Sequence, residues 1–328
     1  MTWLRLNGPG ILLTAAVALP AWLLGNAVPV VGGPVAGMLL GMLLAFRKRP
    51  PSREPGIRYT SKKLLQLAII LLGFEMNLHR VLAVGHQTLW LMAFTLTAAF
   101  AAAWAAGRLL GVDGNSRTLI GVGTAICGGS AIAATAPVIG AKDEEVARAI
   151  STICLFNVAA AFIFPALGHL LGMSDQAFGL WAGTAVNDTS SVVAAGYAFS
   201  PQAGDLAVIV KLTRTLTIVP VTLGLALLVS RRQAAGDSGY SFVKVFPWFV
   251  LGFLAASVAG TFLPLPVQLP GLLARTGKYL IVMAMAAIGL NTHLPKLLHS
   301  GRAPLLLGFI CWGVLSLTAL AALRFFVH

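Results

Sequence analysis

The chain has 328 residues, of which 58% are hydrophobic and only 10% are charged. Soluble domains contain about 25% charged and 45–50% apolar residues, so this composition supplies too little polar surface to cover a water-soluble globule. The mean hydropathy of +0.86 points in the same direction. The composition therefore predicts a polytopic membrane protein, and it excludes cytosolic enzymes, secreted disulfide-rich scaffolds and disordered chains.

In a soluble protein the formal net charge of +13 would suggest nucleic-acid binding. Here the basic residues lie mostly between apolar runs, as they do in cytoplasmic loops of membrane proteins, so we expect the lipid bilayer and no nucleic acid as a partner. The three cysteines form neither a CxxC pair nor a disulfide framework, and the six histidines show no metal-ligand spacing. We expect no cofactor and no metal, apart from Na⁺ or H⁺ as a coupling ion.

Apolar runs long enough to cross a bilayer as helices recur along the chain from its first residues. They predict an all-α membrane protein with about eleven transmembrane helices, which form a single transporter domain over residues 1–328. The predicted spans are 10–25, 28–46, 63–80, 86–110, 118–140, 147–171, 177–199, 204–230, 245–263, 277–294 and 303–326.

The basic residues between the spans predict the orientation of the chain. If the N-terminus is inside and the spans alternate, the inside loops hold 15 Lys and Arg residues and the outside loops hold 6. Because inside loops of membrane proteins are enriched in Lys and Arg, we expect the N-terminus inside and the C-terminus outside.

An internal likeness at an offset of 216 residues aligns residues 72–78 (LGFEMNL) with residues 288–294 (IGLNTHL). An odd number of predicted spans separates the two copies, which places them in opposite directions across the membrane. Inverted repeats of this kind are typical of secondary transporters that work by alternating access, and we expect repeats at about 28–171 and 177–326.

A second likeness has an offset of 60 and aligns residues 123–130 (GTAICGGS) with residues 183–190 (GTAVNDTS). In a plain count of eleven spans these two segments run in the same direction, which one inverted repeat does not explain. Either one of the segments is re-entrant or the likeness is convergent.

Both copies place unusual residues inside apolar spans, and such residues are the first candidates for a substrate site. Gly128, Gly129 and Ser130 lie mid-span, where each Gly weakens a helix by about 1 kcal/mol relative to Ala. Close packing of small residues would also account for the two glycines. The run from Asn187 to Ser191 is polar throughout, which favours a site in a protein-lined cavity, because polar residues at membrane depth are costly elsewhere. Its members are Asn187, Asp188, Thr189, Ser190 and Ser191.

Two cations, Lys211 and Arg214, lie within the span 204–230 and share one helix face. One interpretation is a structural ion pair with Asp188, the acid in the neighbouring span. The other is an anion site in which the guanidinium of Arg214 binds an oxyanion. Both can hold at once. Asn157, a lone amide in another span, is interpreted as an interhelical hydrogen bond.

Three segments carry a resemblance to a known family. GTAICGGSAIAA (123–134), GTAVNDTSSVVAAG (183–196) and VKLTRTL (210–216) resemble the bacterial sulfate exporter family, and the likeness runs over nearly the whole chain. That family is grouped with bile-acid and arsenite transporters. The resemblance implies inverted five-helix repeats with crossed, broken helices, a location in the bacterial inner membrane, and a core domain that moves against a dimer-forming domain, so a homodimer is expected.

The sequence therefore predicts a secondary active transporter that exports a small sulfate-like, sulfonate-like or organic anion. Arg214 and Lys211 would supply positive charge, the polar residues of both copies would donate hydrogen bonds, and Asp188 would couple transport to H⁺ or Na⁺. The alternative is an anion channel or facilitator. We expect no enzymatic activity, because no paired intramembrane Asp, Ser–Lys or HExxH arrangement is present.

Overall fold

A computed structural model describes residues 2–27, 33–47, 49–218, 220–225, 248–292 and 301–326. All regular secondary structure in these ranges is helical. The helices are α1 Thr2–Ala27, α2 Gly33–Ala45, α3 Glu54–Tyr59, α4 Leu65–Gly73, α5 Leu78–Leu109, α6 Gly114–Ala125, α7 Gly129–Thr135, α8 Asp143–Leu170, α9 Asp175–Ala185, α10 Thr189–Phe199, α11 Pro201–Leu216, α12 Trp248–Phe262, α13 Gln268–Asn291 and α14 Arg302–Phe326. A π-helical turn, Thr60–Leu64, joins α3 to α4.

The predicted class of an all-helical polytopic membrane protein is confirmed. Six helical segments of the described chain are long and apolar enough to cross a bilayer, and α2 and α12 are shorter apolar helices. Large apolar side chains face outward along these helices, among them Leu12 (71% exposed), Trp90 (76%) and Leu317 (67%). A surface of this kind is stable in lipid, which solvates apolar side chains, and would be unfavourable in water.

The predicted span 118–140 is broken in two, and its two helices turn back on each other. Helix α6 begins beside the start of α8, where Arg148 contacts Asp113 at 3.3 Å and the Asn115 amide donates to Glu145 at 3.0 Å. The chain between these contacts therefore enters the protein and returns to the same end. We call α6–α7 the first hairpin and this end of the molecule the Arg148 end.

The predicted span 177–199 forms a second hairpin, α9–α10. Ser200, which follows α10, donates to the Asp175 carboxylate at the start of α9 at 2.6 Å. The rings of Phe178 and Phe199 stack with their centroids 4.0 Å apart. Both ends of this segment thus lie together, at what we call the Ser200 end.

The two hairpins enter from opposite ends of the molecule. Helix α8 begins at the Arg148 end and reaches the Ser200 end, where the His169 ring stacks on Phe199 at 4.3 Å. Helices α6 and α9 therefore point in opposite directions. The shared direction that a plain count of eleven spans gives to the two copies of the 60-residue likeness does not hold, because each segment returns to the end at which it began. Both segments are hairpins, and the two copies point in opposite directions.

Close helix contacts at glycine hold the remaining helices around the hairpins. On α2, a Cβ at Gly41 would lie 2.3 Å from the Ala286 carbonyl oxygen of α13, and a Cβ at Gly289 would lie 2.2 Å from the Met38 carbonyl oxygen. Small residues let helix backbones approach in this way, which is the usual basis of tight packing between membrane helices. Helices α2 and α13 also pack against the core that contains α10.

Candidate functional site

The tips of the two hairpins meet inside the protein, at Gly128 and Asp188. A Cβ at Gly128 would lie 3.3 Å from the Cβ of Asp188 and 3.3 Å from Nδ2 of Asn157. Gly128 has φ +68° and ψ −130°, a conformation that L-residues with a side chain rarely adopt. Glycine is therefore required at position 128 for two reasons: the backbone conformation of the turn and the close approach of the second hairpin. We call this contact the tip junction.

Lys211 of α11 joins both tips. Its Nζ donates to the Ile126 carbonyl of the first hairpin at 2.7 Å and to the Val186 carbonyl of the second hairpin at 2.9 Å. The side chain is fully buried. Because these carbonyls follow the last turns of α6 and α9, they lack helical partners, and Lys211 satisfies one of them at each tip.

Arg214 lies one turn further along α11 and is also fully buried. Its Nε donates to the Ala125 carbonyl at 2.7 Å, whereas Nη1 and Nη2 have no hydrogen-bond partner among the described residues. Within the same part of the chain, no ion pair joins Asp188 to Arg214 or to Lys211. The structural ion pair considered from the sequence is therefore not formed here, and two guanidinium nitrogens stay available for a ligand.

Asp188 is the N-cap of α10. Its carboxylate accepts from the Ser190 backbone N–H at 3.0 Å and from the Ser190 hydroxyl. A negative charge at this position suits the positive end of the α10 dipole. Asp188 and Thr189 are half-buried, whereas Ser190 and Ser191 are buried. The polar run thus supplies a helix start at the tip junction as well as candidate ligands.

Several buried polar atoms near the hairpin tips have no protein hydrogen bond among the described residues. Both amide atoms of Asn187 are in this group, and so is Oδ1 of Asn157. The hydroxyls of Thr124 and Thr184, which occupy equivalent positions in the two copies, are further members. Buried polar atoms are nearly always paired, so a group of unpaired atoms indicates bound water or a ligand.

The predicted site residues are brought together, but they differ in accessibility. Ser130 is exposed, and a Cβ at Gly129 would meet no atom within 4 Å. Asn187, Lys211 and Arg214 are buried behind the tips. The junction therefore has an open side at the start of α7 and a closed side along α11.

The sequence interpretation missed Thr124 and Thr184 and gave Asn157 only an interhelical hydrogen bond. The threonines belong to the GTA segment of the duplicated motif, and their repetition was the available signal. Asn157 is one of the groups nearest to Gly128, while its Oδ1 has no partner in the described part of the chain. Its interpretation as an interhelical hydrogen bond is not supported by that oxygen.

A separate cavity of about 300 Å³ lies at the Ser200 end, between α1, α2, α10 and α13. Its walls are mostly apolar and aromatic, with Trp22 and Tyr197 on opposite elements and Lys278 as a charged group. The Tyr197 hydroxyl donates to Asp205 at 2.5 Å, and Lys278 pairs with Glu75 at 3.6 Å. Among the described residues no three His, Cys, Asp or Glu side chains cluster as metal ligands would.

Comparison with known proteins finds similarity along almost the entire chain. Residues 9–308 match the profile of the family described as Conserved hypothetical protein 698. A UPF0324 membrane protein of Streptococcus pyogenes is 50% identical over 323 residues, which cover 95% of each chain. A UPF0324 membrane protein of Fusobacterium nucleatum is 45% identical over 332 residues, covering 95% of this chain and 96% of the relative. No solved structure matches.

Proposed function

The chain belongs to the family described as Conserved hypothetical protein 698, whose relatives here are membrane proteins, and we propose that it is a secondary active transporter of a small anion. The anion is of the sulfate or sulfonate type or a small organic anion, and transport is export by alternating access, coupled to H⁺ or Na⁺. The proposed location is the bacterial inner membrane, with the N-terminus inside. If the first hairpin returns to the side from which it entered, Lys142 and Arg148 at the start of α8 lie on the inside. This strengthens the excess of Lys and Arg in the inside loops.

The observation that carries the proposal is the uncompensated guanidinium of Arg214. Lys211 and Arg214 together carry two positive charges, and the helix ends that bind them, those of α6 and α9, carry about half a negative elementary charge each. The carboxylate of Asp188 faces the positive end of α10. About one positive charge is therefore left over, and Arg214 has two unpaired nitrogens and no carboxylate partner among the described residues, which favours binding of an anion.

The donors around Arg214 match an oxyanion. A guanidinium offers two parallel N–H groups to two oxygens of a carboxylate, sulfate or sulfonate. The Asn187 amide adds a neutral donor with no protein partner in the described structure. On the accessible side of the junction, the hydroxyl groups of Ser130 and Thr189 are proposed as donors to the anion as it enters, while Asp188 is the proposed coupling group.

The inverted hairpins favour a carrier over a channel. Discontinuous helices that meet near the middle of the membrane are typical of transporters that expose one site to each side in turn. The tips are in contact through Gly128 and Asp188 and are joined by Lys211. A continuous pore along the tips would require the contact between Gly128 and Asp188 and the hydrogen bonds of Lys211 to break at the same time. A carrier opens one side of the protein at a time.

The proposal is tested by thermal unfolding of the purified protein with a panel of small anions. An anion present at 100 times its Kd stabilises the folded state by about 2.7 kcal/mol. We expect this shift in the wild type and in Arg275→Gln, which changes an exposed cation on α13, and its loss in Arg214→Gln. An unchanged shift in Arg214→Gln would contradict the anion site.

Flux in proteoliposomes then separates a carrier from a channel. A carrier shows trans-stimulation, in which anion on the far side accelerates exchange, and it shows low turnover. Electrical currents far above carrier turnover without trans-stimulation would assign the protein to the anion channels instead.

A further inference from the structure

The two carbonyls that bind Lys211 occupy equivalent positions in the duplicated motif. Ile126 and Val186 are separated by the same 60 residues as the two copies of GTAxxxxS. The hairpins that carry them point in opposite directions, and each carbonyl follows the last turn of the first helix of its hairpin. The ammonium of Lys211 lies between them, bonded to one at 2.7 Å and to the other at 2.9 Å. A single side chain thus serves both copies.

Carbonyls at the C-terminal ends of interrupted helices are the groups that bind coupling cations in many transporters. They carry negative partial charge from the helix dipoles, and two such ends together balance about one monovalent cation. In this chain that position is filled by an ammonium of the protein itself. The neighbouring Arg214, bonded to Ala125 of the same tip, adds a second positive charge that disfavours any further cation there.

We propose that Lys211 is a resident cation, which occupies a monovalent-cation site between the hairpin tips and makes the tip junction independent of Na⁺. Removal of the ammonium, with space left behind, converts the junction into a site for Na⁺ that uses the carbonyls of Ile126 and Val186. The inference goes beyond the proposed function, because it concerns the stability of the junction and needs no anion. A further consequence is that a coupling Na⁺ does not bind between the carbonyls of Ile126 and Val186.

The test compares unfolding temperatures in NaCl and in N-methyl-D-glucamine chloride at equal ionic strength, without any added substrate. The organic cation is too large for a site between two carbonyls. We expect the wild type to unfold at the same temperature in both salts. Lys211→Ser, which leaves room for an ion, is expected to be destabilised in the organic salt and to regain several degrees in NaCl, with a saturable dependence on Na⁺ concentration.

Lys211→Met is the matched control, because it removes the charge and fills the space. It is expected to be destabilised in both salts without rescue by Na⁺. A saturable rise of the wild-type unfolding temperature with Na⁺ would overturn the proposal, and so would equal Na⁺ responses of the serine and methionine variants. Failure to recover folded Lys211→Ser in NaCl also counts against it. All these readouts are independent of anion binding by Arg214, so either proposal can fail alone.

Discussion

Gly128 and Asp188 occupy equivalent positions of the two motif copies and contact each other where the hairpin tips meet, and a Cβ on Gly128 would lie 3.3 Å from that of Asp188. The contact joins two segments that approach from opposite ends. The geometry of the contact depends on the absence of a side chain at Gly128 and on the start of α10 at Asp188.

Substitution of Gly128 is expected to disrupt this contact, and Gly129 provides the control. Gly128→Ala forces a side chain into a backbone conformation that costs about 1–3 kcal/mol and crowds Asn157 and Asp188. Gly129→Ala meets no atom within 4 Å and lies at the start of α7, so it should leave stability unchanged or raise it slightly. Thermal unfolding of the two variants measures the difference; equal destabilisation by both would contradict the role of the Gly128 backbone.

The re-entrant hairpins predict which positions share a side of the membrane. Cysteines at Leu109 and Lys142 should react with a membrane-impermeant thiol reagent from one side, and cysteines at Gln176 and Gln202 from the other. All four positions are exposed, the native Cys127 and Cys311 are buried, and the half-buried Cys154 is replaced by Ala to remove its background. Labelling is measured in oriented membrane vesicles. A segment that crosses the membrane would instead place Leu109 and Lys142 on opposite sides.

Asp188 can be neutralised without loss of its capping function. Asn is as good an N-cap as Asp, so Asp188→Asn should keep the start of α10, whereas Asp188→Ala should lose about 1 kcal/mol of stability. If Asp188 is the coupling group, flux in Asp188→Asn proteoliposomes becomes insensitive to the H⁺ or Na⁺ gradient that drives the wild type. Retention of the full gradient dependence in the folded Asn variant would remove Asp188 from this role.

Asp113 at the start of the first hairpin predicts a pH dependence of stability. Burial raises the pKa of Asp113, but hydrogen bonds from Ser116 and the charge of Arg148 outweigh it, so the net pKa is lowered from 3.8. A carboxyl whose pKa is lower in the folded state stabilises the fold above its unfolded pKa, and this contribution is lost as the pH falls through the folded value. Asp113→Ala should therefore be less stable than the wild type at pH 7, by about 1 kcal/mol for the lost cap.

The same comparison at acidic pH provides the check. The difference between wild type and Asp113→Ala, measured by denaturant unfolding, should shrink as the pH falls below about 4. Arg80→Ala, on the opposite end of the molecule, has no part in this cap and should show no such convergence. A difference that is constant from pH 7 to pH 3 would mean that the carboxylate charge of Asp113 does not contribute.

The sequence was sufficient to predict an all-helical membrane protein and several of the residues at the tip junction. Apolar runs and polar interruptions are local features, and both Gly128 and the run from Asn187 to Ser191 stand out against apolar neighbours. Whether an apolar segment crosses the whole bilayer could not be predicted in the same way. A run of about 22 apolar residues has the same composition whether it crosses the bilayer or turns back at a glycine, and only contacts such as Ser200 with Asp175 distinguish the two.

The partners of the buried cations were also beyond the sequence. Asp188 was the obvious candidate because it is an acidic side chain, but the groups that Lys211 contacts are backbone carbonyls, which every residue possesses. A hydrogen bond to a backbone carbonyl does not depend on the type of the residue that carries the carbonyl, so the sequence does not reveal it. It becomes visible only when two helix ends are placed beside the same side chain.

The likeness between the two hairpins does not extend to the charges of the helices that follow them. At the offset of 60, the positions of Lys211 and Arg214 on α11 correspond to Ser151 and Cys154 on α8. The two buried cations at the tip junction therefore both lie on the helix that follows the second hairpin. In a carrier of this design, the inward-facing and outward-facing states differ in the electrostatic energy of a bound anion, so that the rates of loading from the two sides need not be equal even without a driving gradient.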